Sequence, residues 1–301
     1  MTSDKSRHAK GVIFILISAL MFGSYGAWSR LIGNSFGVFY QGWTRALIIS
    51  IVLFPILYYK KQIVPIKRKD WKWMLTYLFF TSLTQAPIFY AFNHMNIGTA
   101  TLLFLTSTLL TMYIVGLFFL GEKLTGIKVI SFFMACVGLY IIFSFSLAVA
   151  TLFAVLMAVV NGIASGSETS FSKKLTNSYS SLYLSWLSWL IIAITNCVVS
   201  ITLHEIQYLP SPSVSWVYLI GYAIASIFGF WLVLEGLKYI EASIGGLISV
   251  LEILFGITLG VLIFHETLSP KIIIGAFIII VAAALPHLTN LFENKARLPL
   301  T

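Results

Sequence analysis

The chain has 301 residues, of which 59% are hydrophobic and only 10% are charged, and its formal net charge is +9 at pH 7. Soluble domains carry about 25% charged residues, so this composition excludes an ordinary soluble fold and predicts a protein that lies in lipid. The positive charge does not indicate a nucleic-acid partner, because no soluble module with clustered basic and aromatic residues occurs. Cys136 and Cys197 lie in apolar segments, which predicts buried thiols without a disulfide or a metal site.

Ten apolar segments follow a short basic tail at residues 1–10, and each is long enough to cross a bilayer as a helix. They are predicted at residues 11–32, 36–58, 73–94, 97–120, 126–145, 148–171, 180–203, 215–237, 242–264 and 271–290. A second tail covers residues 291–301. The basic start is also typical of a signal peptide, but the long first run and the later spans favour a retained helix. The predicted fold class is an all-α integral membrane protein with ten transmembrane helices.

The distribution of Lys and Arg predicts the orientation of these helices. Of the 19 basic residues, all but three fall on the side of the N terminus. Arg30 and Lys271 fall on the other side, and Arg45 lies within the membrane. By the positive-inside rule, both termini are predicted in the cytoplasm and the protein in the cytoplasmic (inner) membrane.

Two parts of the chain are similar to each other. The stretch from Tyr40 to Ile49 matches the stretch from Tyr183 to Ile192, and Tyr77 matches Tyr222, at displacements of 143 and 145 residues. Two five-helix units are therefore predicted, at residues 11–145 and 146–290. Because five is odd, the second unit enters the membrane from the opposite side, so the repeats are inverted. Inverted repeats around a site near the membrane midplane are an architecture of transporters.

A short acidic motif also occurs twice, as Leu120-Gly-Glu122-Lys-Leu-Thr125 and Phe264-His-Glu266-Thr-Leu-Ser269. Each copy ends one helix and precedes a capping residue of the next. Both copies are predicted to be tight interhelical turns, with the carboxylates near the start of the next helix. A role in substrate binding is the alternative. In the second copy, His265 precedes Glu266, but no second His follows at metal-binding spacing. A metal site is therefore not predicted.

With these motifs the chain resembles the drug/metabolite transporter superfamily, specifically its EamA-type branch. The resemblance rests on the ten helices, the inverted repeat, the repeated acidic turn and the stretch Leu237–Ser243 before the ninth helix. It covers residues 11–290. It implies a secondary transporter that exports or exchanges a small metabolite, with an amino acid or similar small organic solute as the favoured substrate. It also implies alternating access around a cavity lined by helices 1 to 4 and 6 to 9.

The ninth helix departs from the family pattern. Family members commonly carry Glu-Pro there, whereas in this chain Ile253 follows Glu252, and the corresponding first-half pair Ser107-Thr108 also lacks proline. This departure leaves open whether the helix kinks.

Polar residues at membrane depth identify the candidate site, because such residues are costly in lipid and face protein or water. Glu252 lies near the middle of the ninth span, and Arg45, Gln85 and Asn161 lie within roughly 5 Å of the midplane. The predicted substrate-binding residues are Arg45, Gln85, Tyr90, Asn161, Glu252, Trp43 and Trp186. Two alternatives stay open. Arg45 and Glu252 could form a structural ion pair, and the two Trp residues could be ordinary packing.

Glu252 and Glu168 are the candidates for proton coupling, because a carboxyl group shielded from water can exchange a proton as the site changes sides. The alternative for Glu168 is an interfacial ion pair with Lys173 or Lys174. No Gly-rich phosphate loop occurs, so proton-coupled or facilitated movement is predicted instead of ATP use. No cofactor is predicted. The expected partners are a small solute, protons and the bilayer, with the protein a monomer or a homodimer.

Two other functions compete with transport, a passive channel and an integral membrane lipid or acyl transferase. The transferase would need a Ser/His or His/Asp constellation at one interface, whereas the five His residues are scattered among tails and helix ends. The inverted repeat disfavours the transferase strongly and the channel weakly, and the chain is predicted not to be an enzyme.

Overall fold

The computed structural model of the protein describes residues 2–95, 97–143 and 151–296. Within these ranges the regular structure is helical and contains no strand. The α-helices are α1 (Thr2–Gly23), α2 (Tyr25–Ile32), α3 (Val38–Tyr59), α4 (Trp71–Ser82), α5 (Ala86–His94), α6 (Ile97–Phe119), α7 (Gly126–Phe143), α8 (Leu152–Leu175), α9 (Ser181–Thr202), α10 (Val214–Gly236), α11 (Ala242–Ser249), α12 (Glu252–Phe264) and α13 (Pro270–Ala296). Short 3-10 helices cover Gly33–Ser35 and Arg68–Asp70.

Eight helical stretches of the described chain are long and apolar enough to cross a membrane. Two of them are composite, because α1 continues into α2 and α11 into α12. The predicted all-α membrane class is therefore confirmed. Of the other two predicted spans, one corresponds to the two shorter helices α4 and α5. The other corresponds to α13, whose apolar part covers Pro270–Pro286. The count of ten spans stays a prediction.

The ends of the chain are more helical than the sequence predicted. Helix α1 begins at Thr2 and α13 runs to Ala296, so parts of both predicted tails are helical. No proline or glycine lies between residues 2 and 10, and nothing in that stretch stops α1 from extending outward. The end of the second predicted tail, residues 297–301, and the predicted link between the units, residues 144–150, lie outside the described residues.

Three of the predicted continuous spans are interrupted. Ser24 separates α1 from α2, residues 83–85 separate α4 from α5, and residues 250–251 separate α11 from α12. Pro87 explains the second interruption, because proline lacks the backbone N–H that an α-helix needs and favours the first turn of a new helix. The third occurs without proline, so the ninth span is broken although Ile253 replaces the family's proline. Such breaks are tolerated at membrane depth only where protein or a cavity satisfies the backbone.

The most extensive helix packing joins the first half of the chain to the second. The closest pairs are α6 with α8, α3 with α9, α7 with α13, and α1 with α10. Each pair takes one helix from residues 2–143 and one from residues 151–296. The two halves therefore interlock across a shared interface.

Glycines permit close approaches between helices of the two halves. A Cβ atom at Gly166 of α8 would lie 2.6 Å from the carbonyl oxygen of Thr108 in α6. A Cβ atom at Gly23 of α1 would lie 2.4 Å from the carbonyl oxygen of Glu252 in α12. Both contacts are with backbone, which cannot move aside as a flexible side chain can. Small residues at these positions therefore set the spacing between the halves, as they do in many membrane bundles.

Gly166→Ala is expected to destabilise the bundle by about 1–3 kcal/mol, because the added methyl group forces α6 and α8 apart. The measurement is the thermal unfolding midpoint of the purified protein in detergent. Gly26→Ala is the matched control, since a Cβ atom at Gly26 meets no other atom within 4 Å. Equal midpoints for the two variants would contradict the packing role of Gly166.

Candidate functional site

Arg45 of α3 lies at the centre of an aromatic cluster and is only 2% exposed. Its guanidinium carbon lies 3.9 Å from the ring centroid of Tyr222, 5.4 Å from that of Tyr25 and 5.6 Å from that of Trp189. These rings come from α10, α2 and α9. A cation over an aromatic face gains about 0.5–2 kcal/mol. The buried charge is thus held by ring faces from both halves of the chain.

The polar contacts of Arg45 leave part of the guanidinium unused. Its Nη2 donates a hydrogen bond to Oε1 of Gln85 at 3.2 Å, whereas its buried Nε has no partner. Among the described residues, no carboxylate lies within 4.0 Å of it. The structural ion pair between Arg45 and Glu252 is therefore not formed.

Glu252 is the first residue of α12 and directly follows the interruption of the ninth span. Its side chain is half-buried, and within residues 2–95, 97–143 and 151–296 its carboxylate has no hydrogen bond or ion pair. No hydrogen bond or ion pair joins Arg45 to Glu252 in this part of the chain.

Side-chain amides extend this site along α3 and the break between α4 and α5. Asn161 donates from Nδ2 to the carbonyl oxygen of Leu83 at 3.1 Å, and Gln85 follows in the same break. A Cβ atom at Gly42 would lie 3.4 Å from both Gln85 Oε1 and Asn196 Oδ1, which places these two amides side by side. The Oδ1 atoms of Asn161 and Asn196 are buried without a partner in the described part of the chain. The site therefore has unused acceptors as well as the unused donor of Arg45.

Glu168 of α8 is buried at 4% exposure. Its Oε1 accepts hydrogen bonds from Thr81 Oγ1 at 2.8 Å and from Ser188 Oγ at 2.5 Å. The alternative ion pair with Lys173 or Lys174 is not formed, because Lys173 binds Glu122 at 3.2 Å and Lys174 lies over the ring of Trp73. Glu168 is thus a carboxyl group held by hydroxyl groups, with no cation beside it among the described residues.

The remaining three predicted site residues lie elsewhere. Tyr90 stacks on His94 with ring centroids 4.0 Å apart. Trp43 donates to Gln207 Oε1 at 3.2 Å, and Trp186 donates to the carbonyl oxygen of Ser50 at 3.2 Å. Among the described residues, none of the three hydrogen-bonds or stacks with Arg45, Gln85 or Glu252. A substrate-binding role for these three residues stays a prediction.

The aromatic partners of Arg45 were missed by the sequence reasoning. Tyr25 and Trp189 lie in apolar spans where an aromatic residue is expected to be packing, so no local pattern singles them out. Tyr222 carried one usable signal, its match to Tyr77 in the repeat.

Glu122, in the turn between α6 and α7, forms the most extensive carboxylate contact described here. It accepts hydrogen bonds from the backbone N–H of Ala242 at 2.5 Å and of Ser243 at 3.1 Å, and from Ser243 Oγ at 2.8 Å. It also binds Lys173 Nζ at 3.2 Å. The predicted turn between α6 and α7 is present, but the carboxylate binds the start of α11, in the other half of the chain, instead of the start of α7.

The environment of Glu122 stabilises its charged form. Burial alone would raise the pKa of this carboxyl group, but the ammonium of Lys173 and the hydrogen bonds from Ala242 and Ser243 outweigh burial and lower the pKa below its usual value. The corresponding acid, Glu266, pairs with Arg30, and both of these side chains are about half exposed.

Comparisons with known proteins agree with this fold. A sequence model described as the EamA-like transporter family matches the chain twice, at residues 9–144 and 152–286. One crystal structure, described only as that of a protein, has a TM-score of 0.81 and 16% sequence identity, and the match covers 93% of this chain and 98% of that one. At this identity the likeness shows the fold alone. Among curated proteins, none matches this sequence significantly.

Glu122→Gln is expected to lower the stability at pH 7 by about 1–3 kcal/mol, because Lys173 and the start of α11 lose a charged acceptor. Since the folded-state pKa lies below the unfolded value of about 4.3, this stabilisation is complete above that pH and is lost as the pH falls through the folded pKa. Thermal midpoints should therefore differ at neutral pH and converge only in the acid range.

The control is Glu266→Gln, which removes the exposed counterpart and should cost only about 0–1 kcal/mol. If both variants lost the same stability, the capping of α11 by Glu122 would not be the cause.

Proposed function

Because the chain belongs to the EamA-like transporter family, as its sequence resemblance predicted, we propose that it is a secondary transporter that moves a small carboxylate-bearing solute by alternating access. An amino acid or a similar small organic solute is the proposed substrate, and the cytoplasmic membrane the proposed location. The observation that carries this proposal is Arg45, a buried guanidinium whose Nε lacks a partner. The family consists of membrane transporters of small solutes, so an enzyme is not favoured.

The buried and incompletely paired charge of Arg45 favours a ligand with a carboxylate group. Burying a charge costs several kcal/mol unless it is paired, and ring faces with one amide oxygen offset only part of that cost. A carboxylate on the substrate would accept from the unused Nε and supply the missing negative charge. The carboxylate of Glu252, which has no hydrogen bond or ion pair among the described residues, offers the complementary partner for a cationic group. A zwitterionic solute has both groups.

Contacts that recur between the halves support two inverted units at residues 11–145 and 146–290. Ser18 Oγ donates to the carbonyl oxygen of Gly229 at 2.7 Å, and Asn161, displaced by 143 residues from Ser18, donates to Leu83. The close backbone contact of Gly23 with Glu252 likewise corresponds to that of Gly166 with Thr108. Such recurrence is expected when two copies of one unit pack about a pseudo-twofold axis.

The two acidic turns support alternating access in particular. Glu122 pairs with Lys173, and Glu266, displaced by 144 residues, pairs with Arg30, displaced by 143. The first pair is the more buried and its carboxylate is docked on α11, whereas the second is half exposed. We infer a state in which the end with Glu122 is closed and the end with Glu266 is open. Exchange of these two arrangements would open the site to the opposite side.

The remaining features of the proposal follow from this arrangement. We propose that α4 and α5 together form the third span and α13 the tenth. With ten spans, the positive-inside rule predicts both termini in the cytoplasm. Tyr90, Trp43 and Trp186 stay candidate substrate contacts for a state of the cycle other than this one. Glu252 and Glu168 are the proposed proton-coupling residues, and the protein acts as a monomer or a homodimer.

Transport should depend on Arg45 and Glu252. A panel of amino acids and nucleobases is first screened for a rise in the thermal midpoint, since a ligand that binds only the folded state stabilises it. Saturable counterflow of the labelled hit into proteoliposomes is then measured. Arg45→Ala and Glu252→Gln should reduce it roughly 10- to 100-fold, because each loses a charge-assisted contact worth about 1.5–3 kcal/mol.

Arg68→Ala and Glu235→Gln are the matched controls, with Arg68 exposed and Glu235 paired with Lys238 away from the site. Both should transport normally. Normal rates in the site variants would remove Arg45 and Glu252 from the mechanism, and uptake without counterflow would indicate a channel.

If protons are coupled to the solute, the transport rate should change between pH 5.5 and 8. Glu168→Gln and Glu252→Gln are tested separately, because a residue that carries the proton should abolish this dependence when it can no longer ionise. A rate independent of pH in the unchanged protein would indicate facilitated diffusion, and a dependence that survives in both variants would exclude both carboxyl groups as the carriers.

A further inference from the structure

A hollow lies at the basic end of the bundle, and Arg45 is not among the residues that line it. It has a volume of about 540 Å³ and lies between the starts of α7 and α11, the first turns of α1 and the later part of α13. Four lysines, Lys123, Lys128, Lys173 and Lys238, line it together with one acid, Glu241. Apolar side chains, including Ile127 and Ile244, complete the wall. We call this hollow the lysine cavity.

Of the four lysines that line the lysine cavity, three are paired with carboxylates and one is not; His8 also lines it. Lys128 pairs with Glu241, Lys173 with Glu122, and Lys238 with Glu235. Lys123 is exposed and has no carboxylate within 4.0 Å in the part of the chain that the structure describes. A ligand group with a single negative charge would therefore neutralise the cluster.

The lysines also retain hydrogen-bond donors. An ammonium group has three N–H donors. Lys128 uses two of them, on Glu241 and on the carbonyl oxygen of Lys123, and Lys173 uses two, on Glu122 and on the carbonyl oxygen of Ile240. One donor on each remains, in addition to those of Lys123. Several converging ammonium donors are the chemistry that binds a phosphate group.

The surroundings of the cavity face lipid. On α7 and α13, large apolar side chains such as Ile130, Phe133 and Phe277 are 54%, 62% and 67% exposed, as expected for helices in contact with acyl chains. On the other side of the turn at Lys123, a groove of about 180 Å³ is lined only by Leu110, Tyr113, Ile114, Leu117, Leu124, Val129 and Phe132. A polar cavity and an apolar groove thus flank one turn at the membrane surface.

We propose that the lysine cavity binds the phosphodiester headgroup of a monoanionic phospholipid of the phosphatidylglycerol class, with an acyl chain along the apolar groove. Basic pockets between spanning helices at the cytoplasmic surface are suited to anionic headgroups. The charge balance favours the phosphodiester over free phosphate, because one negative charge suffices and a phosphate monoester or free phosphate carries closer to two. This site is separate from the proposed substrate site and does not depend on it.

The test uses the purified full-length chain in detergent. Phosphatidylglycerol, phosphatidylcholine and inorganic phosphate are each titrated, and the thermal midpoint and the lipids retained in native mass spectra are recorded. Phosphatidylglycerol should raise the midpoint and be retained, whereas the other two should do neither. Lys123→Gln should weaken phosphatidylglycerol binding about fivefold, which corresponds to about 1 kcal/mol for one lysine at an anionic lipid surface. Lys69→Gln removes an exposed lysine from the same end and should leave binding unchanged.

A second pair of variants tests the cavity without changing the charge. Ile127→Trp adds bulk to the wall and should block phosphatidylglycerol retention, whereas Ile130→Trp, on the lipid-facing side of the same helix, should not. Equal effects of inorganic phosphate and phosphatidylglycerol would assign the cavity to a soluble anion and overturn the lipid proposal. Equal losses in Lys123→Gln and Lys69→Gln would reduce the effect to general surface charge and also overturn it.

Discussion

A guanidinium buried in a lipid-embedded bundle without a carboxylate partner is the constraint on which this site depends. Taking such a charge out of water costs several kcal/mol, and the Arg45 side chain recovers part of that cost from ring faces and from Gln85. The rings of Tyr25, Tyr222 and Trp189 belong to three different helices, one from the first half and two from the second. The contacts that hold this charge therefore depend on both halves of the chain, and its Nε is left without a partner.

The helix interruptions create a related cost for the backbone. Where a helix breaks inside the membrane, carbonyl and N–H groups lose their partners, and lipid cannot replace them. At the break between α4 and α5, the carbonyl oxygen of Leu83 is satisfied by Asn161 from the other half of the chain. At the start of α2, Ser24 donates to the carbonyl oxygen of Met21 at 2.6 Å and accepts from Trp28. Polar side chains at membrane depth thus support the broken backbone as well as the candidate site.

Much of this arrangement could be predicted from the sequence, and the exceptions have physical reasons. Hydropathy locates most spans, and depth alone singles out Arg45 with its neighbour Gln85. Hydropathy is the same on both sides of a break, so the interruption before Glu252 leaves no trace without a proline. Depth does not specify the direction of a side chain, which is why Trp43 and Trp186 were grouped with a site that they do not contact here. Nor does any local pattern show that Glu122 caps a helix that begins 120 residues later.

The charged residues do not follow the internal repeat, although the positions of the contacting residues do. Tyr25 and Arg45 of the first unit correspond, at a displacement of 143 residues, to Glu168 and Ser188 of the second. Both corresponding pairs are in contact, as a ring beneath a guanidinium in one unit and as a carboxylate with a hydroxyl group in the other. The two units thus share geometry, but each carries one charged residue whose counterpart in the other unit is neutral. A scaffold has no need of that difference, because neutral residues could form the same contacts without the cost of burying charge. The proposed transport of a polar solute with a proton as co-substrate would account for it, since the solute would bind the cation and the proton the carboxyl group.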